Sequence, residues 1–314
     1  MSITNTIAPP AQRPLNAILA YCLWPALVIS SGSILAFGFA SGHPAGLSET
    51  LRKAWFFNLS YLWLLLWLFL LERRRPWRQA WQKNDRQLAA DLGHTLLDKG
   101  SVQFTIIFLS SLPFFAHRGA GAVGSLPLWV QVVIGLVASE FGLYWAHRLS
   151  HEWPVLWRFH AVHHSVRRLW IVNTGRFHFI DSNLSVLASL PFLLLTGISM
   201  DAIIWMSAIT AYLGLLTHCN VAMRGGWLDY IFNTPNLHRW HHSTNPAEGN
   251  SNYGQNVVLW DQLFGTWLRR PDAELGEIGI VERMPLRFRE QLWVPFIWQR
   301  YQRESVGADP ATVV

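Results

Sequence analysis

The sequence holds three short histidine clusters between residues 147 and 242, namely His147-Arg-Leu-Ser-His151, His160-Ala-Val-His163-His164 and His238-Arg-Trp-His241-His242. Within each cluster the histidines are three or four residues apart, which places them on one face of an α-helix. Neutral imidazole is the commonest metal ligand in proteins and suits zinc, copper, iron and nickel. The spacing therefore predicts a metal centre built from several short helical segments.

Two single histidines, His178 and His218, lie in the same part of the chain. Ten imidazoles are too many for one ion, but they suffice for two ions with about four or five ligands each. Unrelated packed histidines would explain one cluster more simply than three. We therefore expect all ten to be ligands: His147, His151, His160, His163, His164, His178, His218, His238, His241 and His242.

The composition is that of an integral membrane protein. Of the 314 residues, 51% are hydrophobic and only 14% are charged, and the 18 tryptophans suit the headgroup level of a bilayer. The net charge of +6 favours anionic lipid over nucleic acid, because no basic run with interleaved aromatic residues is present. The two cysteines are far apart and imply no disulfide framework, which suits a reducing compartment.

Apolar runs predict four membrane spans, at 16–40, 55–71, 101–116 and 127–146. The basic stretch 72–78 favours a cytoplasmic position for the loop after the second span. Two shorter runs, 183–198 and 202–217, are interpreted as a hairpin that enters and leaves on that same side and returns His218 to the other histidines. The sequence thus predicts an all-α, polytopic membrane protein with a cytoplasmic, histidine-rich, metal-binding helical cap, located in the inner membrane of the cell.

Other polar residues leave alternatives open. Glu140 lies seven residues before His147 within a predicted span, where it could serve the site or pair with a neighbouring span. Asp261 could orient a ligand imidazole or cap a turn. His94 is expected to be a packed or solvated side chain, and His43 and His117 fall in loops assigned to the outer side. Arginines on the cap could hold a lipid headgroup or an acidic electron donor: Arg158, Arg167, Arg168 and Arg239.

The motifs together resemble the fatty acid hydroxylase / sterol desaturase superfamily. The resemblance covers about residues 130–270, where several motifs occur in the same order as in the family. It rests on the histidine clusters, on Leu156-Trp-Arg-Phe-His-Ala-Val-His-His-Ser165, Arg176-Phe-His178 and Asn236-Leu-His-Arg-Trp-His-His242, and on Asn252-Tyr-Gly254 and Trp260-Asp-Gln-Leu-Phe-Gly-Thr266. It divides the chain into N-terminal spans (1–130), a catalytic domain (131–270) and a C-terminal cytoplasmic tail (271–314).

The resemblance implies a non-haem di-iron enzyme that uses O2 to hydroxylate or desaturate a sterol-like or fatty acyl C–H bond. It implies that one iron is held by His151, His160, His163, His238 and His241, and the other by His147, His164, His218 and His242, with His178 as a further ligand. Some members carry another histidine where this chain has Ala222, so His178 or Asn220 could substitute there. Because the sequence has no dinucleotide fingerprint, the electrons are expected from a separate protein.

Two alternatives remain at this point. One is an ether-lipid monooxygenase of the same superfamily. The other is a histidine-rich membrane metal transporter or sensor, although transporters place their ligands near the middle of the bilayer, whereas these histidines are predicted to gather at one face.

Overall fold

The computed structural model describes residues 14–41, 48–112 and 121–306. His43, His117 and the ends of the chain therefore lie outside the described residues. Seven helices form the main body: α1 (Pro14–Ala40), α2 (Glu49–Arg74), α3 (Leu88–Ser111), α4 (Leu128–Glu152), α5 (Pro154–His164), α6 (Phe179–Thr196) and α7 (Met200–His218).

Shorter elements complete the cap. They are helices α8 (Pro235–His241), α9 (Pro246–Gly249), α10 (Leu259–Phe264), α11 (Phe288–Trp293) and α12 (Trp298–Val306). The described residues also form 3₁₀ turns at Gln79–Gln82, Ile171–Gly175, Gly226–Tyr230 and Val294–Ile297, and one away from the cap at Ala122–Ser125. Within the described ranges the β pairing is limited to isolated bridges, so the predicted all-α class is confirmed.

Five helices in the described part of the chain are long and apolar enough to cross a membrane: α1, α2, α4, α6 and α7. The polytopic prediction is thereby confirmed. The predicted span at 101–116 is not confirmed. Its described part belongs to α3, which begins at Leu88, carries Asp91, Asp98 and Lys99 in its first half, and is not among the helices apolar enough to cross a membrane. Residues 113–116 lie outside the described residues. The predicted hairpin is formed by α6 and α7, with a turn at Gly197 in left-handed backbone conformation.

The spans pack in two layers around α7. Leu213 and Leu216 of α7 lie in an apolar core with Leu64 and Leu68 of α2 and Trp24 of α1. On the other side α4 lies against α6, where a side chain at Gly142 would meet the backbone of Ala188 and would lie 2.6 Å from Cα of Ser189. Glycine is required there because the two helix backbones are in direct contact.

The helices have a cap end and an opposite end. At the cap end, α2 is followed by Arg75, whose carbonyl accepts from Ala222 N at 2.8 Å just beyond α7. At the opposite end, Gly121 N donates to Gly197 O at 3.0 Å and Lys53 pairs with Asp201. The basic stretch 72–78 and the histidine clusters therefore lie at the same end, as the sequence predicts.

Part of the segment that follows residue 270 packs onto the cap. Val294 and Trp298 share a small core with Ala161 of α5 and Ile280. The amide of Gln291 is hydrogen-bonded through its oxygen to His94 of α3 at 3.0 Å. The segment thus closes the cap next to the beginning of α3.

Candidate metal centre

Nine of the ten predicted histidines converge in two adjacent groups. In each group the imidazole nitrogens that could bind a metal ion all lie within 4.8 Å of one another. The first, here called the five-histidine group, comprises His147, His151, His160, His164 and His241. The second, the four-histidine group, comprises His163, His218, His238 and His242. Apart from His151, which is half-buried, the nine side chains are buried.

Helical rotation explains which histidines share a group. Four residues of α-helix turn the side chain about 40° past a full turn, whereas three residues leave it about 60° short, on the other side. The histidines four apart accordingly stay together: His147 with His151, His160 with His164, and His238 with His242. His163 is three residues after His160 and lies in the four-histidine group, away from the other histidines of its cluster. His241 is three residues after His238 and lies in the five-histidine group, likewise away from its cluster.

This grouping corrects the one that the resemblance implies. His163 and His238, expected with His151, lie in the four-histidine group. His147 and His164, expected with His218, lie in the five-histidine group. The expected assignment separated histidines four residues apart, which the geometry of a helix keeps on one side.

Most of the imidazoles use Nδ1 to bind an oxygen outside the groups. Nδ1 of His147 lies 2.6 Å from Tyr253 O, and Nδ1 of His241 lies 2.7 Å from Ser251 O. A carbonyl oxygen can only accept, so Nδ1 carries the hydrogen and Nε2 keeps its lone pair. Comparable Nδ1 contacts join His151 to Asn250 Oδ1, His160 to Asp181, His163 to Arg176 O and His218 to Asn173 Oδ1.

The Nε2 atoms face inwards and crowd together. Nε2 of His238 lies 2.9 Å from Nε2 of His218, and Nε2 of His151 lies 3.1 Å from Nε2 of His164. Nε2 of His147 and Nε2 of His241 are buried without a hydrogen-bond partner. In His147 and His241, where Nδ1 holds the hydrogen, the buried Nε2 offers only an unpaired lone pair, which a bound cation would satisfy. The residues present therefore fit a metal ion in each group.

Burial keeps these histidines in the form that can bind a metal ion. The pKa values of His163, His164, His238, His241 and His242 are held well below the usual value, first by burial and then by neighbouring histidines. Each is neutral at physiological pH, and a neutral imidazole is the form that binds a metal ion.

A buried loop, residues 250–256, orients the five-histidine group, and we call it the carbonyl loop. It provides the oxygens bound by His147, His151 and His241. Asn252 adopts a left-handed backbone conformation, with φ of 55°, and its amide donates to Leu237 O at 3.1 Å. Such a conformation is strained for a residue other than glycine, and here the side-chain hydrogen bonds hold it in place.

Two buried carboxylates fix the carbonyl loop at adjacent residues. Asp261 accepts from Tyr253 N at 2.7 Å and from Gly254 N at 2.8 Å, so it binds the loop backbone and no ligand imidazole. Glu140, within α4, accepts from Gln255 N and from Asn256 N and Nδ2. Both carboxylates thus act on the histidines through the loop, which resolves the alternatives left open by the sequence.

Three other candidates lie outside both groups. His178 precedes α6, where its Nδ1 accepts from Ile180 N at 3.3 Å, and burial lowers its pKa. The side chain of Asn220 is hydrogen-bonded to the backbone of Arg78 at 3.0 and 3.1 Å. Nδ1 of His94 lies 3.1 Å from Phe177 O, so this histidine is packed, as expected.

Sequence reasoning missed Asp181 and Asn173. Oδ2 of Asp181 lies 2.8 Å from Nδ1 of His160 in a buried contact. Asp181 follows the Arg176-Phe-His178 motif by three residues, which is the signal that could have found it. Asn173, in a 3₁₀ turn beside α7, has no signature in the sequence.

A cleft of about 910 Å³ leads from the surface of the cap to the five-histidine group. His151, His164 and His241 lie in its wall, whereas the lining includes no member of the four-histidine group. Charged and apolar side chains share the remaining wall, among them Glu152, Arg158, Trp157, Glu282 and Phe296. The two groups therefore differ in access, since only the five-histidine group borders this cleft.

Comparison with known proteins identifies the family. The fatty acid hydroxylase family model matches residues 132–266. The ornithine lipid hydroxylase OlsE of Rhizobium tropici is 44% identical over 310 residues, which cover 96% of this chain and 90% of that protein. An alkylglycerol monooxygenase of Danio rerio is 30% identical over 173 residues, covering 54% of this chain and 37% of that protein. A Delta(7)-sterol 5(6)-desaturase of Gibberella zeae is 28% identical over 187 residues, covering 55% of each.

No solved structure matches this chain. The matched residues 132–266 contain both histidine groups, the carbonyl loop and its two carboxylates. The similarity to the Rhizobium tropici protein continues through the N-terminal spans. The chain is an integral membrane oxidoreductase and belongs to the fatty acid hydroxylase superfamily.

Proposed function

We propose that this protein is a di-iron, O2-dependent hydroxylase that acts on an ornithine-containing membrane lipid. The observation that carries the metal assignment is the pair of histidine groups, because in each of them the ring nitrogens lie within 4.8 Å of one another. The similarity at 44% identity to an ornithine lipid hydroxylase supports the substrate class.

In this proposal the five-histidine group holds one iron and the four-histidine group the other. Bound iron supplies the redox chemistry that activates O2, because imidazole ligands suit redox-active iron. Hydroxylation of a C–H bond consumes O2, two electrons and two protons, and it yields the alcohol and water. Since the chain has no dinucleotide fingerprint, the electrons come from a separate donor protein.

The protein's own residues prepare the site for this reaction. The Nδ1–H groups of His147 and His241 donate to the carbonyl loop, which aims Nε2 at the metal position. Phe177 stacks on His163 with ring centroids 3.9 Å apart and shields the four-histidine group from water. Exclusion of water prevents the loss of reactive species to side reactions.

The cleft admits the polar part of the lipid to the five-histidine group. Its charged residues include both signs, Glu152 and Glu282 as well as Arg158, which suits a zwitterionic group such as an amino acid. The acyl chains remain beside the spans α4 and α6. We further propose that the cap faces the cytoplasm from the inner membrane, because the basic stretch 72–78 lies at the cap end.

Metal analysis tests the centre. The protein purified from iron-replete cells should contain two irons per chain and show a di-ferric absorption band. A chain that holds one zinc ion and has no redox activity would contradict the di-iron proposal, because structural zinc sites bind four ligands and no redox change occurs at zinc.

Lipid analysis tests the substrate. In cells that make an unmodified ornithine lipid, expression of the chain should add one oxygen atom to that lipid. A His241→Ala variant should not, whereas His94→Ala, which changes a packed histidine outside both groups, should retain the reaction. Oxidation of an alkylglycerol with no change in ornithine lipid would favour the ether-lipid alternative instead.

A further inference from the structure

An exposed apolar surface borders the cleft on the cap. It consists of Trp153, Val155, Trp293, Phe296 and Ile297, and we call it the rim patch. Trp153 is 56% exposed and Trp293 is 66% exposed. Val155, Phe296 and Ile297 also line the cleft, and the rings of Trp293 and Phe296 lie 5.5 Å apart. Contiguous exposed apolar side chains of this size mark a surface that meets a partner or a membrane.

The position of the rim patch relative to the spans indicates how deep it lies in the bilayer. Trp153 directly follows the last residue of α4. The ring of Phe296 lies 6.0 Å from that of His178, the residue before α6. Since α4 and α6 are both apolar spans, the rim patch lies where two of them leave the hydrocarbon. Tryptophan is enriched at this headgroup level.

The charge of the surrounding segment fits the same place. Residues 281–303 contain five arginines and two glutamates, which gives a net charge of +3. Arg283, Arg287 and Arg289 are exposed, and Arg289 lines one shallow pocket together with Trp293 and Ile297. Basic segments with exposed aromatic side chains bind the surface of an anionic bilayer.

We propose that residues 281–303 form a membrane-interface segment, whose rim patch inserts into the headgroup region of an anionic bilayer. The mouth of the cleft then opens at the bilayer surface, so that a lipid reaches the five-histidine group without leaving the membrane. The segment lies outside residues 132–266, which the family model matches. The proposal concerns where the cap meets the bilayer and does not depend on which lipid is oxidised.

Spin labelling of the full chain in vesicles tests the depth of the rim patch. In a Cys22→Ala background, one label is placed at Trp293→Cys and a matched label at Asp272→Cys, an exposed position elsewhere on the cap. In vesicles of phosphatidylcholine and phosphatidylglycerol, the ratio of collisions with O2 to collisions with a water-soluble nickel complex should be at least about threefold higher at position 293. Equal ratios at the two positions would overturn the proposal.

Occupants of the rim patch other than a bilayer give different accessibilities at position 293. A label at position 293 that is shielded from both O2 and nickel would mean that protein covers the patch, either a second copy or a redox partner, and this result also overturns the proposal. A label that O2 reaches but the nickel complex does not supports the proposal. The readout does not require iron or activity, so it is independent of the proposed reaction.

The arginines provide a second test. The accessibility ratio at position 293 should rise when phosphatidylglycerol is added to phosphatidylcholine vesicles, and Arg283→Gln with Arg289→Gln should remove at least about half of that rise. Lys83→Gln, which changes an exposed cation outside the segment, should leave the rise unchanged. An identical rise of the accessibility ratio in the parent chain, the double arginine variant and Lys83→Gln would show that the arginines do not draw the segment to anionic lipid.

Discussion

Glu140 and Asn256 join a membrane-spanning helix to the loop that orients the five-histidine group. The carboxylate of Glu140 accepts from Asn256 N at 3.1 Å and from Asn256 Nδ2 at 2.8 Å. The side chain of Glu140 is fully buried. A carboxylate inside a span is costly unless its oxygens are hydrogen-bonded, and here both are. The carbonyl loop is thereby anchored to α4, the helix that carries His147 and His151.

Removal of this anchor should loosen the five-histidine group. In Glu140→Ala, we expect activity or iron affinity to fall about 10- to 100-fold, because the ligands lose the oxygens that fix their orientation. Glu140→Gln keeps one acceptor oxygen and should give an intermediate loss. Iron per chain and turnover measure the effect. Ser139→Ala, a buried change on the same helix, is the control, and equal losses in Ser139→Ala and Glu140→Ala would contradict the role of the loop.

His178 should not behave as a ligand. Its ring lies in neither histidine group and binds Ile180 N, so His178→Ala should retain its iron and lose at most part of its activity. His163→Ala should lose both, because it removes a nitrogen from the four-histidine group. Iron analysis of the two purified variants decides the matter. Loss of iron from His178→Ala as severe as from His163→Ala would place His178 at the metal.

The sequence predicted the set of histidines better than their arrangement. Spacing alone identified eight of the nine side chains that converge, since one face of a helix can be deduced from positions three and four apart, and the predicted hairpin brought the single His218 to them. The division between the groups follows from the same helical rotation, but it requires the axes of α4, α5 and α8 to be known. The Nδ1 partners come from loops such as Ser251 and Tyr253, whose backbone carbonyls leave no mark in the sequence.

His94 should make stability depend on pH. Burial, with Arg176 nearby, lowers the pKa of His94 to about 3, whereas the unfolded chain has a value near 6.5. The folded state therefore keeps His94 neutral, and its contribution to stability is present above about pH 6.5 and is lost as the pH falls towards 3.

Comparison with His94→Gln isolates this contribution. The stability of the wild type relative to the variant should decrease by at most about 1.4 kcal/mol per pH unit below about pH 6.5. Unfolding of both proteins in detergent between about pH 7 and about pH 5 measures it. Parallel pH profiles would show that His94 is not held neutral by the fold.

The orientation of the cap can be tested by cysteine labelling from outside the cell. In the Cys22→Ala background, an impermeant reagent should reach Ala122→Cys at the end opposite the cap and miss Asp272→Cys on the cap. Both positions are exposed, so burial does not limit the reaction. The opposite labelling pattern would place the cap outside the cytoplasm.

The direct backbone contact of Gly142 with Ala188 gives the centre a mechanical property. Side chains between two helices can change rotamer when the bilayer changes thickness, whereas two touching backbones leave no space to close. Contact between the two backbones therefore sets the distance between α4, which carries His147, and α6, which carries Asp181. Vesicles with shorter or longer acyl chains should tilt the helix pair as one unit and leave the spacing of the ligands unchanged.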